Sequence, residues 1–196
     1  MKACLLLLAS LAACSSAPPT PAVMELRAPA WVGDAGAGWD AQTETLVYRV
    51  TGHAPLATGH APLGDELRAA QAQASKAATA ALRAFCAEAV TRLQAAYAQR
   101  SAALFTPEAL NALSGDKTAV GRIVDAGMAG ARNIGEWSDD EAYFVWLELD
   151  TGAGLLPACE SDLGERLAAH SRELTASDRQ ALRTELATFI AQRLRR

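Results

Sequence analysis

The longest run of helix-forming residues in the sequence extends from Asp65 to Ser101. It is dense in Ala, Leu, Arg, Gln and Glu and contains no Gly or Pro, which predicts one helix of about 50–60 Å. We expect its apolar stripe to face a core and its Ala-rich first half to lie close to a sheet. A helix that binds a partner is the functional alternative. The stripe consists of Ala78, Leu82, Phe85, Cys86, Ala89, Leu93, Ala96 and Tyr97.

Three further stretches show the two-residue alternation of β-strands. Thr45–Thr51 is rich in β-branched and aromatic residues, and Gly52 is expected to end this strand. Ala131–Trp137 and Ala142–Leu149 are expected to form a hairpin. The second hairpin strand is apolar on both faces for part of its length, which predicts a central position and pairing with Thr45–Thr51. One face of it carries Tyr143, Val145, Leu147 and Leu149, and the other carries Phe144 and Trp146.

Shorter helices are predicted on either side of the hairpin. Thr106–Pro107 is typical of a helix start, and a second helical run covers Asp116–Met128. Thr151–Pro157 is predicted to be a Gly-rich break before an amphipathic helix at Asp162–Leu174. A capping box at Thr175–Asp178 starts the last helix. The buried edge of that helix is expected to contain Leu182, Leu186, Phe189, Ile190 and Leu194.

These elements together predict an α+β fold, in which one small antiparallel or mixed sheet packs against a long Ala-rich helix, with additional C-terminal helices. The 196 residues are enough for a single core with a small satellite. Because the formal net charge is −4, nucleic acid and anionic lipid headgroups are poor candidates as partners.

The first sixteen residues, MKACLLLLASLAACSS, predict where the chain works. Lys2 is followed by an apolar segment, Ala3–Ala13, that is too short to span a bilayer. Leu11–Cys14 resembles the lipobox of bacterial lipoproteins, so Cys14 is predicted to become the acylated first residue of the mature protein. Ser15 lacks the Asp of inner-membrane retention, which favours the periplasmic face of the outer membrane. A secretory signal cut elsewhere and a short membrane anchor are the alternatives.

This interpretation divides the N-terminal region in two and decides which cysteines remain. Residues 1–13 are a lipoprotein signal peptide, and residues 14–27 are an acylated N-terminus with a flexible, Pro-rich tether. Cys86 and Cys159 then form an even pair, which an oxidising periplasm favours as a disulfide. Two separate buried thiols are the alternative.

The histidines and the acidic turn are the candidates for chemistry. His53 and His60 lie seven residues apart in a tandem GHAPLAT-GHAPLG repeat and could bind a metal, although a duplicated surface loop is favoured because no third ligand is near. Ser171, next to His170, could act as a nucleophile, but the strained turn of a hydrolase is missing. Asp139–Glu141 resembles part of a calcium loop, yet a hairpin turn is favoured. We therefore predict no catalytic residue, metal or cofactor.

The order of several short motifs resembles the Lpp-twenty family of bacterial lipoproteins, whose fold recurs at the start of the flagellar assembly protein FlgT. The matching segments are Pro29–Trp31, Tyr48–Gly52, the Ala-rich helix, Asn133–Trp137 and Ala142–Leu147. The resemblance implies an α/β domain over residues 28–150 that binds or scaffolds and has no catalytic residues. Arg49 replaces a usual Gly, and residues 151–196 lie outside the pattern, as a C-terminal helical extension packed on the same domain.

The resulting expectation is an outer-membrane-anchored periplasmic lipoprotein, non-enzymatic, that scaffolds or modulates a cell-envelope assembly. Its expected partners are the outer membrane, through the lipid, and an envelope protein or peptidoglycan. A periplasmic hydrolase or metal-dependent enzyme is one alternative. A module that binds peptidoglycan or a small ligand, in a groove between the long helix and the sheet, is the other.

Overall fold

The computed structural model describes residues 27–33, 46–57, 64–107, 109 and 117–194. It confirms the predicted α+β fold, with a three-stranded antiparallel sheet and a long helix followed by further helices. The elements are α1 (Ala30–Gly33), β1 (Val47–Pro55), α2 (Gly64–Ser101) with a 3-10 turn (Ala102–Leu104), α3 (Lys117–Met128), β2 (Arg132–Ser138), β3 (Ala142–Asp150), α4 (Leu155–Ala168) and α5 (Ala176–Arg193).

The sheet has the strand order β1-β3-β2, so the strand that is apolar on both faces is central, as predicted. In the β1–β3 pair Val50 lies opposite Leu147, and in the β2–β3 pair Trp137 lies opposite Phe144. Because side chains alternate between faces, Val145, Leu147 and Leu149 all point to the same side and are buried. The helix α2 covers that side.

Gly52 lies within β1, and the prediction that it ends the strand is wrong. It is buried opposite Val145, on the face of the sheet that meets α2. A Cβ atom at this position would lie 2.2 Å from the Ala74 carbonyl oxygen and 2.3 Å from the Ala78 backbone nitrogen. Glycine is therefore required here for a close approach of strand and helix, one of the meanings of a glycine inside a strand.

The predicted stripe of α2 is buried, except that Ala96 is only half-buried. One hydrophobic core contains this stripe, the inner face of the sheet and the apolar faces of α3, α4 and α5. Phe85 is central to it, because its ring stacks on Tyr48 of β1 and on Phe189 of α5, with centroids 3.6 Å and 5.3 Å away.

The helix α4 begins earlier than predicted. The sequence suggested a break through Pro157 and a helix from Asp162 to Leu174, whereas α4 spans Leu155–Ala168. Pro157 is tolerated because it lies in the first turn, where backbone N–H groups have no partner within the helix. Beyond the end of the helix, Ser171 adopts a left-handed conformation with φ 56°.

The start of α5 is as predicted. Thr175 Oγ1 accepts a hydrogen bond from the Asp178 backbone N–H, and the Asp178 carboxylate accepts one from the Thr175 N–H, which completes the capping box. Four of the five residues predicted for its buried edge are buried, and Leu194 is half-buried.

The short helix predicted after Thr106 falls mostly outside the described residues. Within the described segments, no helix combines the length and apolar character needed to cross a membrane.

Candidate functional site

The predicted lipidation site and one predicted histidine lie outside the described residues. Cys14 belongs to the first 26 residues, and His60 belongs to residues 58–63. Acylation of Cys14 therefore stays a prediction from the sequence. The paired-histidine metal site has only His53 within the described chain, where it is exposed at the end of β1.

Cys86 and Cys159 are free and fully buried, so the predicted disulfide between them is absent from this structure. They lie on different helices, α2 and α4, and the Cys86 sulfur contacts the Met128 sulfur at 3.9 Å. Burial raises the pKa of each thiol to about 12. These are the properties of small core hydrophobes and not of reactive thiols.

The burial of these thiols predicts their reactivity. In the folded protein at pH 8, neither Cys86 nor Cys159 should react with a thiol reagent within minutes, because both are inaccessible and protonated. After unfolding in guanidinium without a reductant, both should react, and colorimetric titration should find two thiols in a chain whose Cys14 is acylated. Finding none after unfolding would establish a disulfide and contradict the free-thiol state.

The residues considered for hydrolysis are not organised for it. His170 contacts the Phe105 ring edge-on, with centroids 6.3 Å apart. Asp162, a carboxylate of α4 that could have oriented it, forms ion pairs with Arg166 and Arg122. Across the described residues, no cluster of three or more His, Cys, Asp or Glu side chains is arranged to hold a metal ion.

The acidic turn between β2 and β3 is a hairpin turn, as predicted. Asp139 Oδ1 accepts hydrogen bonds from the backbone N–H groups of Glu141 and Ala142, at 2.9 Å and 2.7 Å. The carboxylate thus closes the turn, in the manner typical of Asp at the start of tight turns.

The sheet has a second face, opposite α2, which we call the open face. It carries Arg49, Thr51 and His53 from β1, Arg132, Gly135 and Trp137 from β2, and Phe144, Trp146 and Glu148 from β3. Of the described elements, α1 lies on this face, where Trp31 stacks on Trp146. A sheet face with aromatic and charged residues, and with little of the described chain upon it, is the strongest candidate for a binding surface.

A charged row crosses the open face from one edge strand to the other. Arg49 Nε and Nη2 both lie 2.8 Å from one oxygen of Glu148, and Arg132 Nη2 lies 2.5 Å from the other oxygen. The Glu148 side chain is only 10% exposed. Burial alone would raise its pKa, but the hydrogen bonds and positive charges of Arg49 and Arg132 outweigh burial and lower the pKa.

This row makes the stability of the protein pH-dependent. Because the folded-state pKa of Glu148 is below its ordinary value of 4.5, its stabilising contribution is present above that value and is lost as the pH falls through the folded pKa. We expect Glu148→Gln to lower the free energy of unfolding by about 1–2 kcal/mol at pH 7, since hydrogen bonds to a charged group are lost. Urea unfolding at several pH values should show this difference shrinking below pH 4.5.

The matched control removes an exposed carboxylate. Asp125 pairs with Arg83, and these two side chains are 62% and 48% exposed. Asp125→Asn should therefore change stability by less than about 0.5 kcal/mol. If Glu148→Gln behaved like this control at every pH, the charged row would not stabilise the sheet.

A tryptophan pair covers the middle of the open face. The rings of Trp31 and Trp146 are parallel, with centroids 5.3 Å apart, and Thr51 Oγ1 donates a hydrogen bond to the Trp31 carbonyl at 3.0 Å. Trp31 thus packs onto the domain, whereas Trp39 lies outside the described residues. The Arg49 guanidinium lies 5.5 Å from the centroid of the Trp146 ring, which adds a cation–π contact.

Beside the tryptophan pair, three rings form a second row across the strands. Trp137 and Phe144 have centroids 5.5 Å apart, and Phe144 and His53 have centroids 6.0 Å apart. Trp137 and Phe144 are half-buried, and His53 is exposed. We call these three residues the aromatic strip.

A groove of about 580 Å³ lies on the helical side of the molecule, between α2 and α5. Tyr97 and Arg100 line one wall, and Asp178 and Glu185 line the other. Arg100 donates to Ser177 Oγ at 3.0 Å, which links the two walls. The alternative groove was predicted between the long helix and the sheet, where Gly52 brings β1 into contact with α2.

The sequence interpretation missed the charged row and the aromatic strip as units. The signal that could have found the charged row is the alternation of side chains between the two faces of each strand. Arg49, Glu148 and Arg132 fall on the same face once the three strands are aligned. The alternation of Phe144 and Trp146 indicated part of that face, but the register between strands supplies the rest.

Comparison of the chain with protein-family models, with curated proteins and with solved structures yields no match. The resemblance to the Lpp-twenty family therefore stays a prediction that rests on the order of short motifs.

Proposed function

We propose that this protein is a lipoprotein of the outer membrane's periplasmic face that acts by binding or scaffolding a cell-envelope assembly and not by catalysis. The lipobox Leu11–Cys14 carries this proposal. A thiol directly after small residues, at the end of a short apolar segment, is the arrangement required for acylation and cleavage.

The connection between the anchor and the fold supports the same function. The stretch from Cys14 to Arg27 can extend to about 45 Å at 3.3–3.6 Å per residue. It is rich in Pro and small polar residues, which are typical of a spacer and not of a core. Such a tether lets the folded part reach a partner while the acyl chains stay in the bilayer.

The surface of the fold also supports binding over catalysis. The open face presents aromatic rings beside guanidinium and carboxylate groups, a mixture that is common at recognition surfaces. By contrast, His53 and His170 contact different aromatic residues, Phe144 and Phe105.

Mass spectrometry of the protein purified from bacterial membranes tests the proposal. We expect an N-terminal Cys14 with a diacylglyceryl group, and enrichment in the outer-membrane fraction after density centrifugation. Cys14→Ala should abolish both acylation and cleavage at this position. An unmodified N-terminus, or a cytosolic location, would overturn the proposal.

Pull-down from detergent-solubilised envelopes tests the scaffolding role separately. A partner should be enriched by the wild-type protein and lost when the open face is altered by Arg132→Glu. Arg132 is a suitable site because its side chain is 69% exposed. If no envelope component were enriched under any condition, the scaffolding role would be wrong even for an acylated protein.

A further inference from the structure

The aromatic strip has the dimensions and chemistry of a sugar-binding surface. Its ring centroids follow one another at 5.5 Å and 6.0 Å, a spacing comparable to the length of one pyranose unit. Aromatic rings pack against the C–H faces of pyranose rings, because the negative face of the ring attracts the weakly positive hydrogens. The strip runs across the strands from Trp137 on β2 to His53 on β1, so a linear sugar chain can lie along it.

The carboxylates beside the strip suit sugar hydroxyls better than they suit anions. Parallel to the strip, beyond the tryptophan pair, lies the charged row, with two guanidiniums and the Glu148 carboxylate. On the other side of the strip, at the hairpin between β2 and β3, lies the acidic turn of Asp139, Asp140 and Glu141. A sugar hydroxyl can donate a hydrogen bond to the carboxylates of this turn, whereas the anionic headgroups of a membrane would meet repulsion there.

The tryptophan pair makes the surface rigid. Trp31 is held on Trp146 by ring stacking and by the hydrogen bond from Thr51. Glu148 and its two arginines are fixed in the same way by mutual ion pairs. A preformed surface loses little conformational entropy on binding, so weak contacts with single sugar units can add along a strand.

We propose that the open face binds a glycan strand through the aromatic strip, with the acidic turn contacting sugar hydroxyls. This inference rests on the proposed function for its location: at the periplasmic face of the outer membrane, the pyranose polymer within reach of a tethered protein is the glycan of peptidoglycan. It places the glycan on the sheet and not in the groove between α2 and α5.

Cosedimentation with isolated, protein-free peptidoglycan sacculi tests the inference. Purified full-length protein in mild detergent should sediment with sacculi, and soluble glycan strands released by an amidase should compete. Trp137→Ala combined with Phe144→Ala should weaken binding by about tenfold or more, since two stacking rings are lost. Leu104→Ala is the matched control, because Leu104 is an apolar side chain, 58% exposed, outside the sheet.

A second variant guards against loss of folding in the double variant. His53 is exposed, so His53→Ala should keep the wild-type melting temperature and still weaken binding severalfold. Sedimentation unchanged in both variants, or absent in the wild type, would overturn the inference. Loss of binding to phosphatidylethanolamine–phosphatidylglycerol vesicles in the same variants, without any effect on sacculi, would also overturn it in favour of a membrane surface.

The two proposals fail independently. An acylated outer-membrane protein that ignores sacculi would retain the lipoprotein function and refute the glycan site. A protein without acyl chains that binds sacculi through the aromatic strip would keep the glycan site and refute the anchor. Mass spectrometry of Cys14 and cosedimentation therefore answer separate questions.

Discussion

Replacing Gly52 with Ala is expected to lower the free energy of unfolding by about 3 kcal/mol or more. The new Cβ would lie 2.2 Å from the Ala74 carbonyl oxygen, 2.3 Å from the Ala78 nitrogen and 2.7 Å from the Ala78 Cβ. These are mainly backbone atoms of α2, so no side-chain rotation relieves the clash, and β1 would have to move away from the helix. Urea unfolding followed by circular dichroism measures the loss.

The control for Gly52→Ala is a glycine whose added Cβ meets nothing. Gly121 is exposed in α3, and no atom lies within 4 Å of the Cβ position. Gly121→Ala should stabilise the protein by about 0.5–1 kcal/mol, because Ala is the better helix former. Opposite signs for the two substitutions would establish that close approach determines the effect. A Gly52→Ala variant as stable as wild type would contradict the strand–helix contact.

The contrast between these two glycines also shows what the sequence could predict. The long helix from Asp65 and the central strand from Ala142 follow from local periodicity, and both were predicted correctly. The role of Gly52 depends on the backbone of α2 that faces it, which the sequence does not reveal. A glycine after the strand pattern therefore suggested that the strand ends, whereas β1 continues through it. Pro157 also led to a wrong prediction, that of a break before the helix. The helix already includes this residue, because the first turn of a helix tolerates proline.

The candidate site was less predictable than the fold. Alternation placed Phe144 and Trp146 on one face, but the charged row forms only when Arg49, Glu148 and Arg132 come into register across three strands. The spacing of Cys86 and Cys159 in the sequence likewise gives no distance between them, and the structure has two separate thiols. Tertiary geometry decides both features.

Truncation of Phe85 is expected to have an effect as large as that of Gly52→Ala. Phe85 is 2% exposed and stacks on Tyr48 and Phe189. Phe85→Ala should lower the free energy of unfolding by about 3–5 kcal/mol, because the lost apolar contact is accompanied by a cavity. Thermal unfolding should then begin about 6–20 °C lower, at roughly 2–4 °C per kcal/mol for a chain of this size.

The same residue tests whether residues 151–196 belong to the same folding unit as the sheet. Phe85 lies on α2 and Phe189 on α5, so a double-mutant cycle of Phe85→Ala and Phe189→Ala measures their coupling. We expect an interaction energy of about 0.5–3 kcal/mol, as for residues in contact, with a single unfolding transition in each variant. Leu104→Ala, at a residue 58% exposed, should change stability by less than about 0.5 kcal/mol. Additive effects, or two transitions, would mean that the C-terminal helices unfold separately from the sheet, and the division at residue 150 would then mark two cooperative units.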